Sequence, residues 1–283
     1  MLSVLQKIDR RYLYAMLLFA VTLPFFLPLR LPVKISAQTT AMYDAIEALP
    51  PDSFVLFGID WSAGTRGENG AQTDVLMRHL MRRHVRFALL AFADPQSETL
   101  GQDIAVNLQK EYGYVEGRDW TNWGYHPGAA QENFLKALVQ DIPSTVVTDN
   151  HGHRIAELPV MHGVHTAHDL GMILNVNPTG SYTTYIQFVQ GPYNVPMGFA
   201  PTAVMAPEAF NYLDSKQLVG MVAGLQGAVE YEQKMGVSGK ATRANISSSF
   251  AHLLIIAFIL LGNVAMILER RQKANLATER GRR

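Results

Sequence analysis

Two apolar stretches lie at opposite ends of this 283-residue chain, and both carry their basic residues on the side that faces away from the middle. The second stretch, residues 250–268, spans roughly 28 Å as a helix, which is close to the hydrocarbon thickness of a bilayer. The first, residues 12–29, follows Lys7, Arg10 and Arg11. Because basic flanks favour the cytoplasm, the pattern predicts two transmembrane helices with both termini cytoplasmic.

A cleavable signal peptide is the alternative interpretation of the first stretch, because a basic start and a short apolar run fit that pattern too. However, no A-x-A-like site follows the run, and Arg30 and Lys34 come directly after it. Pro24 and Pro28 are compatible with a spanning helix, in which neighbouring groups can satisfy the freed carbonyls. We therefore predict that the first stretch is a retained anchor.

The two anchors divide the chain into seven predicted segments. In chain order these are a cytoplasmic N-terminus at 1–11, a transmembrane helix at 12–29, a juxtamembrane linker with a short helix at 30–52, an extracytoplasmic domain at 53–235, a linker at 236–249, a transmembrane helix at 250–268 and a basic cytoplasmic tail at 269–283. The second linker is predicted from its small and polar composition.

The outer segment between the anchors is acidic and contains no cysteine. Residues 31–249 hold 14 lysines and arginines against 21 aspartates and glutamates, a balance of −7, although the formal net charge of the whole chain is +0. This balance disfavours a nucleic-acid partner, since phosphate binding depends on basic residues. Without cysteine the chain has no disulfide, thiolate nucleophile or thiolate metal ligand.

Apolar runs of strand length alternate with amphipathic segments along the outer domain. We predict strands at 53–60, 86–93, 144–149, 183–190 and 202–206, helices at 41–49, 73–85, 99–112, 131–140, 164–176 and 216–235, and ordered loops at 112–127 and 191–207. Strands without polar alternation, separated by helices, are typical of a parallel sheet covered on both faces. The predicted fold class is therefore α/β, with a Rossmann-like, mainly parallel sheet flanked by one N-terminal and one C-terminal transmembrane helix.

Acidic residues end two of the predicted strands, at the edge where open α/β sheets bind ligands. Asp60 and Asp149 are these residues, and Asp60 opens a loop that contains Gly64 and Gly67 before the next helix. Backbone N–H groups of such a loop can hold an anion. The loop nevertheless matches neither G-x-x-x-x-G-K-[ST] nor G-x-G-x-x-G. The four residues form the predicted ligand crevice, and an ordinary loop is the alternative.

Histidines are concentrated between His151 and His168. His162, His165 and His168 are spaced by three residues, so on a helix they could present imidazoles to one Zn²⁺. No H-E-x-x-H arrangement accompanies them, which favours solvated loop histidines. We therefore expect no cofactor, and zinc on these three histidines is the alternative.

Two features predict contacts with other proteins. Gly220, Gly224 and Gly227 lie near one face of the predicted helix 216–235, where another backbone could approach closely. That backbone belongs either to the same domain or to another subunit. Asn263 places an amide inside the second apolar stretch, where a helix-to-helix hydrogen bond would satisfy it.

Three functions are compatible with these patterns. The first is a non-enzymatic structural or assembly subunit of a cell-envelope membrane complex, which contacts the lipid bilayer and either its own copies or partner membrane subunits. The second is a solute-binding or transporter-auxiliary domain that uses the crevice at Asp60 and Asp149. The third is a metal-dependent hydrolase built on the cluster from His151 to His168. No motif assigns a catalytic residue.

Overall fold

The computed structural model describes residues 9–26, 32–127 and 131–280 of the chain. These residues belong to two compact units. One unit, residues 32–242, holds the α/β domain, and the other is formed by residues 1–31 together with 243–283. Residues 1–8, 27–31 and 281–283, which lie at the ends of predicted segments, are outside the described residues.

The strands of the α/β domain are short and follow one another through helices. They are β1 (Phe54–Ile59), β2 (Arg86–Ala91), β3 (Trp120–Tyr125), β4 (Met172–Asn177), β5 (Met197–Pro201) and β6 (Gly220–Met221). The helices of both units are α1 (Arg10–Thr22), α2 (Ala37–Glu47), α3 (Ala71–Arg82), α4 (Pro95–Tyr112), α5 (Gln131–Leu138), α6 (Ile142–Val146), α7 (Tyr182–Tyr185), α8 (Gly191–Tyr193), α9 (Ala206–Asp214), α10 (Gly224–Met235) and α11 (Lys240–Arg280). Single 3-10 turns lie at Leu23–Phe25, Ala63–Thr65, Ile155–Glu157, Pro159–Met161 and Ala167–Asp169, and π-helical turns at Arg66–Gly70 and Ile186–Gln190.

The strands form a six-stranded sheet in the order β3-β2-β1-β4-β5-β6, and every neighbouring pair is parallel. The chain therefore moves outward from β1 in one direction and then from β4 in the other. The carboxyl ends of β1 and β4 mark the point at which the order reverses, which is where doubly wound sheets leave a crevice. The predicted α/β class with a parallel sheet is confirmed.

The sheet separates two apolar cores. One core lies between the sheet and α2, α3, α4 and α10, with Met42, Val75 and Tyr231 fully buried in it. The other lies between the sheet and α5, α6, α7 and α9, with Leu135 and Phe199 fully buried. Burial on both faces explains why the strands have no polar alternation.

Local capping residues begin α2 and α4 four residues before the predicted starts at 41 and 99. Ser36 is the N-cap of α2 and accepts a hydrogen bond from the backbone N–H of Thr39. Asp94 is the N-cap of α4, and Pro95 takes the first helical position, for which its fixed φ suits it. Gly113 ends α4 with a φ of +69°, a conformation that favours glycine.

The predicted aromatic loop at 112–127 is wrong, because it contains the edge strand β3. Trp120 and Trp123 in this strand are buried. Asn122 and Gly124 made this strand difficult to recognise in the sequence, since both residue types are rare in strands. Here Gly124 has a φ of +82° and donates its N–H to the Asn122 side chain, next to a register shift between β2 and β3.

The predicted strand at 144–149 is also wrong. Asp141 caps the short helix α6, and Pro143 lies in its first turn, so the apolar residues that follow are helical. Val147 then adopts a φ of +58° and ends the helix. As a result Asp149 does not end a strand of the sheet.

Four further predictions in the second half of the domain are wrong. The segment 164–176 holds β4 instead of a helix, 183–190 is helical, the strand predicted at 202–206 lies at 197–201 as β5, and the segment 216–235 holds β6 before α10. Apolar runs of four to eight residues have no distinct period, so they are compatible with either a buried strand or a buried helix.

The predicted linker at 236–249 is mostly helical, because α11 begins at Lys240 and continues to Arg280. The segment Lys240–Leu268 is long and apolar enough to cross a membrane, and almost none of it is buried within the chain. In the described residues it is the one helix that meets this description. The helix in the first stretch, α1, is 13 residues long, and residues 27–29 of the predicted span lie outside the described part.

Candidate functional site

Asp60 lies at the carboxyl end of β1, at the point where the strand order reverses. Its side chain is fully buried, and its carboxylate accepts hydrogen bonds from groups of the same domain. One oxygen accepts from the backbone N–H groups of Phe92 at 2.7 Å and Ala93 at 3.3 Å, and the other accepts from the Asn175 amide at 2.8 Å. Asp60 thus ties the ends of β1, β2 and β4 together.

Burial raises the pKa of Asp60 to about 6, and the hydrogen bonds from Phe92, Asn175 and Ala93 oppose that rise. Burial disfavours the charged form of a carboxyl group, whereas N–H donors favour it. The pKa of Asp60 therefore reports a carboxyl group held inside the domain rather than one that faces solvent.

Two polar atoms beside Asp60 are buried and make no hydrogen bond with the described residues. They are the Tyr185 hydroxyl and the Asn175 Oδ1. Gly58 has no Cβ and therefore leaves room for the side chains of Asn175 and Tyr185. A Cβ there would lie 2.5 Å from the Asn175 amide nitrogen and 2.9 Å from the Tyr185 hydroxyl. Burial and the nearby Asp60 raise the pKa of Tyr185 well above its ordinary value, so its hydroxyl keeps its proton.

The glycine-rich loop after Asp60 does not form a phosphate cradle in this structure. Gly64 and Gly67 lie in consecutive helical turns, and a Cβ on Gly67 would meet nothing within 4 Å. Neither glycine has a positive φ. Instead Glu68 accepts the backbone N–H of Ala203 at 2.7 Å, which closes the loop onto the segment after β5.

Asp149, the second predicted crevice residue, is not near Asp60 in the topology, because it follows α6 and not a sheet strand. Its carboxylate accepts the backbone N–H groups of His151 and His153, as in an Asx turn. It also pairs with the His153 ring at 3.1 Å. Asp149 thus lies beside the edge strand β3, where the backbone N–H of Asn150 donates to the Asn122 carbonyl at 2.9 Å, whereas Asp60, Gly64 and Gly67 follow β1.

The three predicted zinc ligands do not share a helix face. His162 follows a 3-10 turn, and His168 lies in the next one, where its ring packs against Tyr193 at a centroid distance of 5.2 Å. The His165 backbone N–H is bound by Asp169. Within residues 9–26, 32–127 and 131–280, no group of three or more histidine, aspartate or glutamate side chains is placed to hold a metal ion.

The three glycines predicted on one helix face lie in different elements and are buried. Gly220 belongs to β6, where a Cβ would lie 2.2 Å from the Met42 backbone nitrogen of α2. Gly224 and Gly227 begin α10, and their nearest neighbours also belong to the α/β domain. The close approach that the glycines permit is therefore within the domain.

A feature that the sequence pattern did not reveal lies on α10, and we call it the clasp: Glu230, Glu232 and Gln233. Glu230 accepts the backbone N–H and the hydroxyl of Ser36, at 3.0 and 2.6 Å, and so caps α2. Gln233 forms two hydrogen bonds with the backbone of Val33, at 2.9 and 3.0 Å. Glu230 and Glu232 are buried although they carry charge.

Glu232 of the clasp caps the beginning of α11. Its two carboxylate oxygens accept the backbone N–H groups of Gly239, Ala241 and Thr242 at 2.9 to 3.0 Å, and the Thr242 hydroxyl at 2.6 Å. The first N–H groups of a helix have no partner within the helix, and a negative charge there is favourable. Lys240 adds an ion pair with the buried Asp74 of α3 at 2.9 Å.

Comparisons with known proteins identify no relative from which a role can be carried over. No family model matches the chain, and no curated protein matches it. Among solved structures, the chain is similar to the N-terminal domain of trehalose-6-phosphate phosphatase from Candida albicans, with 11% sequence identity and a TM-score of 0.35. The match covers 82% of this chain and 44% of that one, so the chain spans less than half of its length. A similarity of this size supports no statement about function.

Proposed function

We propose that this chain is a membrane-anchored, non-enzymatic α/β subunit that assembles into a complex of the cell envelope. In this proposal the chain crosses the membrane twice, both termini are cytoplasmic, and the α/β domain lies outside. The bilayer is one partner, and further copies or other membrane subunits are the others.

The clasp is the observation that carries this proposal. Its three side chains bind residues 33–36, which follow the first apolar stretch, and residues 239–242, which begin the apolar helix α11. Hydrogen bonds to a charged group each contribute about 1.5 to 3 kcal/mol. Strong hydrogen bonding at the two points where the chain leaves the α/β domain is expected of a domain that is held by anchors.

The second unit brings α1 and α11 into contact. Within that unit, the Ser247 hydroxyl of α11 donates a hydrogen bond to the Val21 carbonyl of α1 at 2.6 Å, and Ser247 is buried. Val21 lies near the middle of the first predicted span, 12–29, whereas Ser247 precedes the second, 250–268. The contact supports the proximity of the two anchors in this proposal, with the two spans shifted relative to each other along the membrane normal.

Membrane extraction tests the anchoring. We expect the intact chain to remain in the membrane pellet after alkaline carbonate washing, and reporters fused to either terminus to remain on the cytoplasmic side. The double variant Ile256→Lys and Ile259→Lys should enter the membrane poorly, since each lysine costs about 3 kcal/mol near the centre of a span. Val204→Lys changes an exposed residue of the α/β domain and serves as the matched control.

Particle mass in detergent tests the assembly. Light scattering of the extracted chain should give a homogeneous oligomer, either of this chain alone or with copurifying subunits. A chain that resists carbonate but runs as a monomer without companions contradicts the assembly role and leaves the anchoring intact. A terminus found outside contradicts the topology.

A solute-binding domain is the second candidate, because the Tyr185 hydroxyl and the Asn175 Oδ1 are buried beside Asp60 and have no hydrogen-bond partner among the residues that the structure describes. Unpaired polar atoms inside a protein are costly, and a bound polar molecule would satisfy them. Native mass spectrometry of the purified chain should then show a copurified small molecule that Tyr185→Phe reduces. A spectrum of the bare chain removes this candidate.

A further inference from the structure

Asn263 places an amide on the exposed surface of the predicted span 250–268, whose side chains are otherwise apolar except for His252. It belongs to α11, and its side chain is exposed. The flanking side chains on the same face, Ile256, Ile259 and Met266, are also exposed and apolar. The chain itself covers α11 at Ala265, which is about 200° around the helix from Asn263.

The anchoring proposed above puts this amide in hydrocarbon. With residues 250–268 spanning the membrane, Asn263 lies about 7 Å inside the boundary near Leu268, at 1.5 Å per residue. Water is absent there, and an amide without a hydrogen-bond partner is unfavourable. In the described part of the chain, no residue accepts from or donates to the Asn263 side chain.

A second copy of the same chain supplies the matching group at the matching depth. Identical chains that insert with the same topology bring their Asn263 residues to the same height, which a lipid or an unrelated helix does not guarantee. The amide has both a donor and an acceptor, so two of them can pair reciprocally across a two-fold axis. A single asparagine in an apolar seam is known to fix the register of paired helices.

The residues around Asn263 have the spacing of such a seam. Ile256, Ile259, Asn263 and Met266 follow one another at intervals of three, four and three residues, as in a parallel pair of helices. Gly262 adjoins the seam, and a Cβ there would meet nothing within 4 Å, so a partner helix can approach. All four seam side chains are accessible in a single chain.

We propose that two copies of this chain pair through α11, with the Asn263 amides hydrogen-bonded to each other and with Ile256, Ile259 and Met266 packed along the seam. This inference rests on the proposed anchoring and names the partner within it. The occupant of this helix face is a second copy and not a different protein.

Cysteine cross-linking in membranes tests the pairing, and the chain suits it because it contains no cysteine. Ile259→Cys and Met266→Cys place single thiols on the seam, whereas Leu261→Cys places one on the opposite face and is the control. Under mild oxidation the two seam variants should form disulfide-linked dimers and the control should not. Equal cross-linking at all three positions, or none at the seam, overturns the proposal.

Asn263 itself is tested in the Ile259→Cys background. Asn263→Leu should weaken pairing about threefold to thirtyfold, the effect expected of one hydrogen bond between helices in a membrane, while Asn263→Gln should retain most of it. Unchanged cross-linking with leucine overturns the role of the amide. Carbonate washing of the same samples separates the two proposals: a chain that stays in the pellet without cross-linking refutes the pairing alone, and a chain that is washed out refutes the anchoring and the pairing with it.

Discussion

Replacing Asp60 by asparagine should change how the stability of the α/β domain depends on pH. The pKa of this carboxyl group is raised from 3.8 to about 6 by burial. Between these two values the folded chain keeps a proton on Asp60 that the unfolded chain has lost. The free energy of unfolding therefore falls as pH rises through this window, because the folded state binds more protons.

The size of the effect follows from the width of the window. A difference of one pKa unit corresponds to about 1.36 kcal/mol, so the shift of Asp60 amounts to about 3 kcal/mol over its whole titration, and about 2 kcal/mol of this loss in the free energy of unfolding falls between pH 4 and pH 6. Solvent screening does not reduce this value, because the side chain is fully buried. Asp60→Asn has nearly the same shape and no charge. Asn175 can rotate its amide to present the unpaired Oδ1 to the new side chain.

Denaturant titration of the detergent-solubilised chain measures the effect. Trp61, Trp120 and Trp123 are all buried in the α/β domain, so their fluorescence reports its unfolding. The free energy of unfolding of Asp60→Asn minus that of the unchanged chain should grow by about 2 kcal/mol from pH 4 to pH 7. The two chains share all other titrating groups, so the contributions of those groups to the pH dependence cancel in this difference. A difference that stays constant within about 0.5 kcal/mol would refute a buried, proton-holding Asp60.

Three other predictions concern the same domain. His79 is fully buried, and burial lowers its pKa to about 4 from 6.5. Its contribution to stability is therefore present above pH 6.5 and is lost as pH falls. In denaturant titrations, the loss in the free energy of unfolding from pH 7 to pH 4 should be about 3 kcal/mol smaller for His79→Gln than for the unchanged chain. Gly220→Ala should cost more than about 3 kcal/mol, or prevent folding, because the new Cβ would lie 2.2 Å from the Met42 backbone, whereas Gly67→Ala, with open space, should change thermal stability by less than about 0.5 kcal/mol. Glu232→Ala should speed hydrogen exchange at the backbone amides of residues 239–242 at least tenfold, since four hydrogen bonds are lost; unchanged exchange there would contradict the capping role.

The first half of the α/β domain was predictable because its signals are local and strong. The strands at 53–60 and 86–93 are apolar runs bounded by turns. The helix predicted at 99–112 is also present, although it begins four residues earlier, where Asp94 and Pro95 form its N-terminus as capping rules describe. The second half contains short apolar runs of ambiguous period. Segment 164–176 illustrates this, since the strand β4 and a single 3-10 turn together resemble one amphipathic helix.

The candidate sites were predictable only in part, because they depend on contacts between distant residues. Asp60 was identified from its place at a strand end, but its partner Asn175 lies 115 residues away in a strand that was predicted as a helix. Glu230 and Glu232 resemble ordinary surface residues of a helix, and only the packing of α2 and α11 around α10 buries them. The His162 to His168 spacing suggested a helix face, yet the backbone there turns too tightly to form one.

The separation in sequence between Glu230 and the helix it caps has a consequence for the order in which this chain can fold during synthesis. Ser36 precedes Glu230 by 194 residues, and α2 also packs against Gly220 of the last strand. Until β6 and α10 have been made, α2 lacks the Glu230 carboxylate that binds its N-cap Ser36 and the Gly220 backbone on which Met42 packs. Completion of the domain therefore waits for almost the whole chain, and a nascent chain that stops before residue 220 leaves the apolar side of α2 open to chaperones and proteases.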